Sequence, residues 1–306
     1  MSLFNVNVRG ALDRYLLQPY VLSGEGARAV VQSNEHLAEG YFAHLEFPVS
    51  DFWFDYFASK IAIVPPRKYG EMLDVCCGTG TLCLNVMRKP LFASCLAVDN
   101  SAVAVRRLNE RIGEIGLRGV TARKDNVMQL DIADESFDAV VGNSFLHHLP
   151  DNYAFLREMH RVLRPGAALC LTGEPAVASS VLENAIMGSL LAILRAVRLK
   201  RRPPAVPTQI TDIWVYEESK TRAMLESCGY TDIRITAFGT LVPLFNAPTA
   251  YLRSLFTRRT MQPDAYWKYF GMLDKHVFGW LPANARSHFV ISARKPVGPA
   301  PAARLV

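Results

Sequence analysis

From residue 71 onward, short apolar runs alternate with segments in which apolar residues recur at the helical period. This alternation predicts strand–helix–strand units, because parallel neighbouring strands need a helical crossover between them. The predicted strands cover 71–76, 94–99, 119–124, 137–142, 167–173, 231–236 and 288–294. The pattern therefore predicts an α/β fold with a Rossmann-like, doubly wound seven-stranded sheet.

Polar and turn-forming residues set the ends of the predicted helices. One helix is expected after Asn100-Ser101, because these side chains can cap an N-terminus. A second helix is expected from about Asp151 to Leu163, where Arg164-Pro165-Gly166 forms a turn signal. A third helix is expected over 217–229, before the sixth strand.

Interruptions of the alternation divide the chain into five predicted segments. They are an N-terminal helical cap (1–68), the Rossmann-like core (69–175), a helical insert (176–224), the C-terminal part of the core with an aromatic-rich stretch (225–295), and a Pro/Ala-rich tail expected to be disordered (296–306). The cap and the insert are expected to help build a substrate site.

Composition narrows the class of protein. Half of the 306 residues are apolar and 20% are charged, which excludes a fully disordered chain. The net charge of +6 is compatible with an anionic substrate or a membrane surface, but it is too diffuse to require nucleic acid. The six cysteines show neither a CxxC pair nor a metal-ligand spacing. They indicate reduced thiols in a cytoplasmic protein without a metal site.

The strongest functional signal is the run LDVCCGTG at residues 73–80. An apolar strand there ends in Asp74 and enters a loop in which Gly78 and Gly80 permit a tight turn close to a ligand. Asp99 ends the next strand, where a carboxylate can accept both hydrogen bonds of a ribose diol.

Two cofactors compete for such a loop. A dinucleotide requires a third glycine, but Cys83 stands at that position, and Asp74 would repel the pyrophosphate. S-adenosylmethionine carries a sulfonium and an α-ammonium group, so it suits the carboxylates. Asp125-Asn126, after the third strand, could then bind the adenine amino group.

Two further motifs follow the loop, one from Phe137 to Leu149 and one from Arg161 to Gly166. With these motifs included, residues 71–173 resemble the small-molecule group of class I S-adenosylmethionine-dependent methyltransferases. The loop itself is similar to that of the menaquinone and ubiquinone methyltransferases. The resemblance implies cofactor binding by Asp74, Cys76, Gly78, Gly80, Asp99, Asn100, Asp125, Asn126 and Asn143. In one departure, Cys76 replaces the first glycine of the family pattern, which makes the loop less permissive.

The sequence indicates the residues that would contact the methyl acceptor less specifically than those that would bind the cofactor. His147 and His148 follow the fourth strand and are the candidate bases, although either could simply cap or pack a helix start. Aromatic residues cluster over 41–57 and 266–280. These clusters could form ordinary hydrophobic core, or they could line an apolar chamber for the substrate. Tyr41 and Trp267 are the residues we select from these clusters as substrate contacts.

The expected function is methyl transfer to an oxygen, carbon or nitrogen of a small, largely apolar metabolite. One alternative is a lipid or prenylated-quinone methyltransferase, because the five cations of 190–202 could contact a membrane surface or simply end a solvated helix. Another is a cofactor-binding protein that catalyses a cyclisation or rearrangement. A nucleic-acid partner is not expected, and a homodimer is left open.

Overall fold

The sequence folds around a seven-stranded mixed sheet in the computed structural model. The structure describes residues 20–42, 49–51, 54–55, 57–58, 70–176, 213–239 and 288–298. In chain order its elements are α1 (Gly24–Phe42), β1 (Gly70–Val75), α2 (Thr81–Val86), β2 (Phe92–Asp99), α3 (Ala102–Ile115), β3 (Val120–Lys124), β4 (Phe137–Asn143), a 3-10 turn (Leu146–His148), α4 (Asn152–Val162), β5 (Leu163–Pro175), α5 (Glu218–Ser227), β6 (Thr231–Phe238) and β7 (His288–Arg294).

The strand order is β3-β2-β1-β4-β5-β7-β6, and β7 runs antiparallel to both of its neighbours. All seven predicted strands are confirmed, most within two residues at each end. The exception is β5, which begins at Leu163 and thus includes the predicted turn at Arg164-Pro165-Gly166. The order reverses between β1 and β4, which puts the ligand-binding crevice of this topology at their carboxyl ends.

Alternate residues of the strands enter two buried clusters. Leu73 and Val75 of β1 belong to one cluster, whereas Met72 belongs to the other. Because successive strand side chains point to opposite faces, both faces of the sheet are buried. This burial explains why the strands appear in the sequence as nearly continuous apolar runs.

The helix cap predicted at Asn100-Ser101 is confirmed at Ser101. The Ser101 side chain accepts a hydrogen bond from the Ala104 N–H, and α3 begins directly after it. Asp151 caps α4 in the same way through the Ala154 N–H. Each cap satisfies a backbone donor that has no partner within its helix.

The segment before β1 contacts two places on the core. Residues Val21 and Leu22 pair with the loop at 150–151, and α1 then packs against α3. Further along, the Ser50 N–H donates to Asn85 of α2, and Phe57 is buried beside that helix. The described part of this segment thus contacts both helices that flank the loop after β1.

Candidate functional site

The loop after β1 is held in a left-handed backbone conformation. Cys76, Gly78 and Gly80 have φ angles of 49°, 53° and 87°. At Gly80 a side chain would also collide with Leu108 of α3. The predicted requirement for small residues is confirmed at Gly80, whereas Cys76 adopts the same conformation at a steric cost.

Asp74 lies at the base of this loop and is 1% exposed. Its Oδ2 accepts a hydrogen bond of 3.0 Å from the Cys83 N–H in the first turn of α2. Burial raises the pKa of Asp74 to about 7, although hydrogen bonds from Cys83 oppose the rise. The negative charge of nearby Asp99 adds to it. Near neutral pH this carboxyl group can therefore gain or lose a proton.

Asp99 joins the loop after β1 to the start of α3. Its Oδ2 accepts a hydrogen bond of 2.9 Å from the Gly78 N–H, and its Oδ1 accepts one of 2.8 Å from the Ser101 N–H. Burial raises the pKa of Asp99, while these two hydrogen bonds oppose the rise. The carboxylate is therefore fixed in place at the carboxyl end of β2.

Asp125 and Asn126 follow β3, on the far side of Asp99. The Asp125 N–H donates to the Asp99 carbonyl at 3.1 Å, which brings the two loops together. The Asp125 carboxylate pairs with Arg123 at 2.7 Å and also accepts the Asn126 N–H. Asn126 is exposed, and the half-buried Asn100 lies beside Asp99 in the chain. The backbone thus lines up the three predicted acidic positions along one edge of the sheet.

Asn143 ends β4 beside Thr172 of β5 and is half-buried. Its Oδ1 lies 3.1 Å from the point that a Cβ at Gly173 would occupy, and Gly173 has a φ of 81°. A glycine is therefore required there for both space and backbone conformation. The Thr172 hydroxyl is buried, and the described part of the chain gives it no hydrogen-bond partner.

These residues fit a cationic ligand. Asp74 and Asp99 are both buried, and within the described residues neither forms an ion pair. A positive group placed between them would lower the cost of burying their charges. Among the same residues, no group of three or more His, Cys, Asp or Glu side chains could hold a metal ion.

The two candidate bases have different surroundings. His147 is 7% exposed, and its Nδ1 lies 2.9 Å from Oε2 of Glu174, which is completely buried. His148 is half-buried, and its backbone carbonyl accepts a hydrogen bond from Asn34 of α1. The two rings lie 4.0 Å apart between centroids.

Sequence reasoning missed two buried charged residues here. One is Glu174, whose signal is a single carboxylate at the end of an otherwise apolar strand. The other is Arg111 of α3, whose guanidinium donates a hydrogen bond of 2.6 Å to the Thr79 carbonyl in the loop. Both partners are distant in the chain, so no local pattern identifies them.

The substrate-side predictions lie largely outside the described residues. Trp267 and the basic segment 190–202 fall there, and Tyr41 is described through its backbone alone, in the last turn of α1. All six cysteines are free thiols, as expected, and Cys170 is buried in β5. No helix within the described residues is long and apolar enough to cross a membrane.

Comparison with known proteins identifies relatives of the core. Residues 73–171 match the family model of a methyltransferase domain. A demethylmenaquinone methyltransferase from Geobacillus stearothermophilus is 35% identical over 113 residues, which are 36% of this chain and 48% of that protein. A second, from Lactiplantibacillus plantarum, is 36% identical over 110 residues, 34% of this chain and 46% of that one. The chain spans about half the length of the curated relatives it matches.

Solved structures share the fold at low sequence identity. Phosphoethanolamine N-methyltransferase 2 of Haemonchus contortus, in complex with S-adenosylmethionine, has a TM-score of 0.52 and 14% identity, covering 95% of this chain and 60% of that one. The (4+2)-cyclase SpnF has a TM-score of 0.51 and 18% identity, covering 90% and 95%. These findings show that residues 73–171 match a methyltransferase domain and that the chain is similar in fold to these solved structures.

Proposed function

We propose that this chain binds S-adenosylmethionine and transfers its methyl group to an oxygen, carbon or nitrogen of a small, largely apolar metabolite. The observation that carries the proposal is the pair of buried carboxylates, Asp74 and Asp99, on either side of the left-handed loop. A cationic ligand is the kind that such a pair accommodates.

The residues would divide the cofactor between them. Asp74 and the backbone of Cys76, Gly78 and Gly80 would hold the methionine end, and Asn143 would lie beside it. Asp99 and Asn100 would bind the ribose. Asp125 and Asn126 would bind the adenine. This arrangement follows the order in which the carboxyl ends of β4, β1, β2 and β3 meet along the sheet.

The cofactor supplies an activated methyl group when bound, so the protein's part is to bind, align and exclude water. Where the acceptor must lose a proton, His147 or His148 would receive it. An apolar acceptor is supported by the aromatic clusters of the sequence, from which Tyr41 and Trp267 remain our candidates for substrate contact.

The names of the relatives favour a second candidate, methylation of a prenylated quinone or another lipid at a membrane surface. The cations of 190–202 are the residues that would contact the membrane. Flotation with anionic liposomes, compared between the wild type and a variant with these cations replaced by Gln, distinguishes this candidate. Loss of flotation in the variant supports the surface function, and absence of flotation in the wild type contradicts it.

The proposed function is tested by following a labelled methyl group. The protein is incubated with methyl-labelled S-adenosylmethionine and an organic-solvent extract of cells, with Asp99→Ala as the inactive control. We expect label in the apolar small-molecule fraction and formation of S-adenosylhomocysteine. Binding without transfer would contradict the proposal and favour a cyclisation or rearrangement. Label in protein or nucleic acid would also contradict it.

A further inference from the structure

Glu174 is a completely buried carboxylate that receives four hydrogen bonds. Its Oε1 accepts the N–H groups of Phe145 and Leu146, each at 3.1 Å. Its Oε2 accepts the His147 N–H at 3.2 Å and lies 2.9 Å from His147 Nδ1. The turn after β4 is thus built around one side chain from the end of β5.

This set of donors decides the charge of Glu174. Burial alone raises the pKa of the group, but the hydrogen bond with His147 lowers it, as does the positive charge of that ring whenever it is protonated. The N–H groups of Leu146 and Phe145 lower it further, so that the pKa lies below its usual range. At neutral pH the residue is therefore an ionised carboxylate, which accepts hydrogen bonds and donates none.

An acceptor-only partner fixes the tautomer of His147. A carboxylate 2.9 Å from Nδ1 requires a proton on that nitrogen, so in the neutral ring Nε2 is the unprotonated one. The main chain of His147 is also fixed, because its carbonyl accepts the Ile213 N–H at 2.9 Å. The sequence alone does not distinguish this histidine from its neighbour His148.

We propose that Glu174 is a positioning residue that holds His147 as a neutral base, with Nε2 as the proton acceptor. The proposal rests on the proposed function, and it deepens it by naming the acceptor class. A site with such a base suits a hydroxyl or an activated C–H, which exchanges its proton for the methyl group. A thioether or tertiary amine, which has no proton to lose, would not need it.

The proton balance is simple. The acceptor's proton moves to Nε2, and the resulting imidazolium is stabilised by the negative charge of Glu174, as a buried carboxylate stabilises a general-base histidine elsewhere. Within the described part of the chain, the titratable groups beside the pair include the His148 ring and Cys76. Burial, followed by the charges of Asp99, Asp74 and Glu174, raises the pKa of the Cys76 thiol well above its usual range, so it stays neutral.

Ring-nitrogen NMR of the ¹⁵N-histidine-labelled full chain tests the proposal without a substrate. The His147 signals are assigned with His147→Gln, and spectra are recorded from pH 5 to 9, with and without S-adenosylhomocysteine. We expect the Nδ1–H tautomer for His147 at neutral pH. In Glu174→Gln we expect the pKa of His147 to fall by about 1 or more, because its negative partner is lost.

Glu158→Gln is the matched control. Glu158 also accepts a backbone N–H, from Leu130, and also has a lowered pKa, but it pairs with Arg161. The control should leave the tautomer and the pKa of His147 unchanged. If Glu174→Gln does not fold, the wild-type spectrum still decides the tautomer.

An Nε2–H tautomer in the wild type, or an unchanged pKa in folded Glu174→Gln, would overturn the proposal. A protonated His147 at neutral pH would do the same, since it could accept no proton. These outcomes are separate from a failure of the proposed function, which would show as an absence of S-adenosylhomocysteine binding in the same samples.

Discussion

Asp99 accepts a hydrogen bond of 2.9 Å from the Gly78 N–H, which ties the end of β2 to the loop after β1. The same carboxylate accepts the Ser101 N–H and thereby also fixes the start of α3. One buried side chain thus holds together the two loops to which we assign the cofactor.

Cys76 carries a backbone strain that a glycine would relieve. A φ of 49° costs an L-residue roughly 1 to 2 kcal/mol of stability. Glycine avoids this steric cost, but it lowers stability by about 0.5 to 1 kcal/mol because it loses more conformational freedom when the unfolded chain folds. We expect Cys76→Gly to raise the free energy of unfolding by up to about 1 kcal/mol. Urea denaturation measures the difference.

Cys76→Ala is the control, because alanine keeps the Cβ while losing the thiol. It should be no more stable than the wild type. If both variants were destabilised equally, the backbone at this position would not be strained, and the thiol would matter instead.

Arg111 of α3 holds the loop after β1 in place by donating a hydrogen bond to the Thr79 carbonyl. We expect Arg111→Met to lower the free energy of unfolding by about 1 to 3 kcal/mol, because a buried carbonyl loses a charged donor. It should also weaken S-adenosylhomocysteine binding, because the loop is less fixed. The exposed Arg106 lies on the same helix, and Arg106→Met should change neither quantity. Equal effects of the two substitutions would refute the anchoring role.

His160 makes the fold sensitive to acid. Burial lowers its pKa, the charge of Lys295 lowers it further, and a hydrogen bond to the Gly229 backbone opposes both. Its Nε2 is buried and has no hydrogen-bond partner among the residues that the structure describes, and its ring packs edge-on against Tyr230. A lowered pKa in the folded state means that stability is present above the unfolded value of about 6.5 and falls as the pH drops through the folded value.

We therefore expect His160→Phe, which keeps a ring against Tyr230, to lose less stability than the wild type between pH 7.5 and 5.5. Urea denaturation at the two pH values gives the comparison. The same loss in both proteins would mean that other groups cause the acid sensitivity.

Asp74 couples ligand binding to proton release. Its pKa of about 7 leaves most of the population protonated at pH 6, whereas a cationic ligand favours the carboxylate. S-adenosylmethionine binding should therefore release close to one proton at pH 6 and far fewer at pH 8. Calorimetry in two buffers of different ionisation enthalpy counts the protons. Asp74→Asn should abolish this difference, and its persistence in the variant would assign the proton to another group.

The sheet could be predicted because its strands are local apolar runs between turn signals, as in LDVCCGTG, and their order follows from parallel crossovers. The positions of Asp74, the glycine loop and Asp99 relative to one another could be predicted from the sequence for the same reason. Glu174 and Arg111 could not be predicted, since their partners lie 27 and 32 residues away. The contact of His147 with Glu174 likewise depends on a carboxylate that arrives from another strand.

Titration calorimetry with S-adenosylhomocysteine tests the central claim most directly, because it asks whether the buried carboxylates form a cofactor site. We predict saturable one-to-one binding to the wild type and at least about tenfold weaker binding to Asp99→Ala, which loses the acceptor of two N–H groups. Asp134→Asn, at an exposed carboxylate paired with Arg161, should bind as the wild type does. An absence of binding to the folded wild type, or equal affinity in Asp99→Ala, would contradict the account.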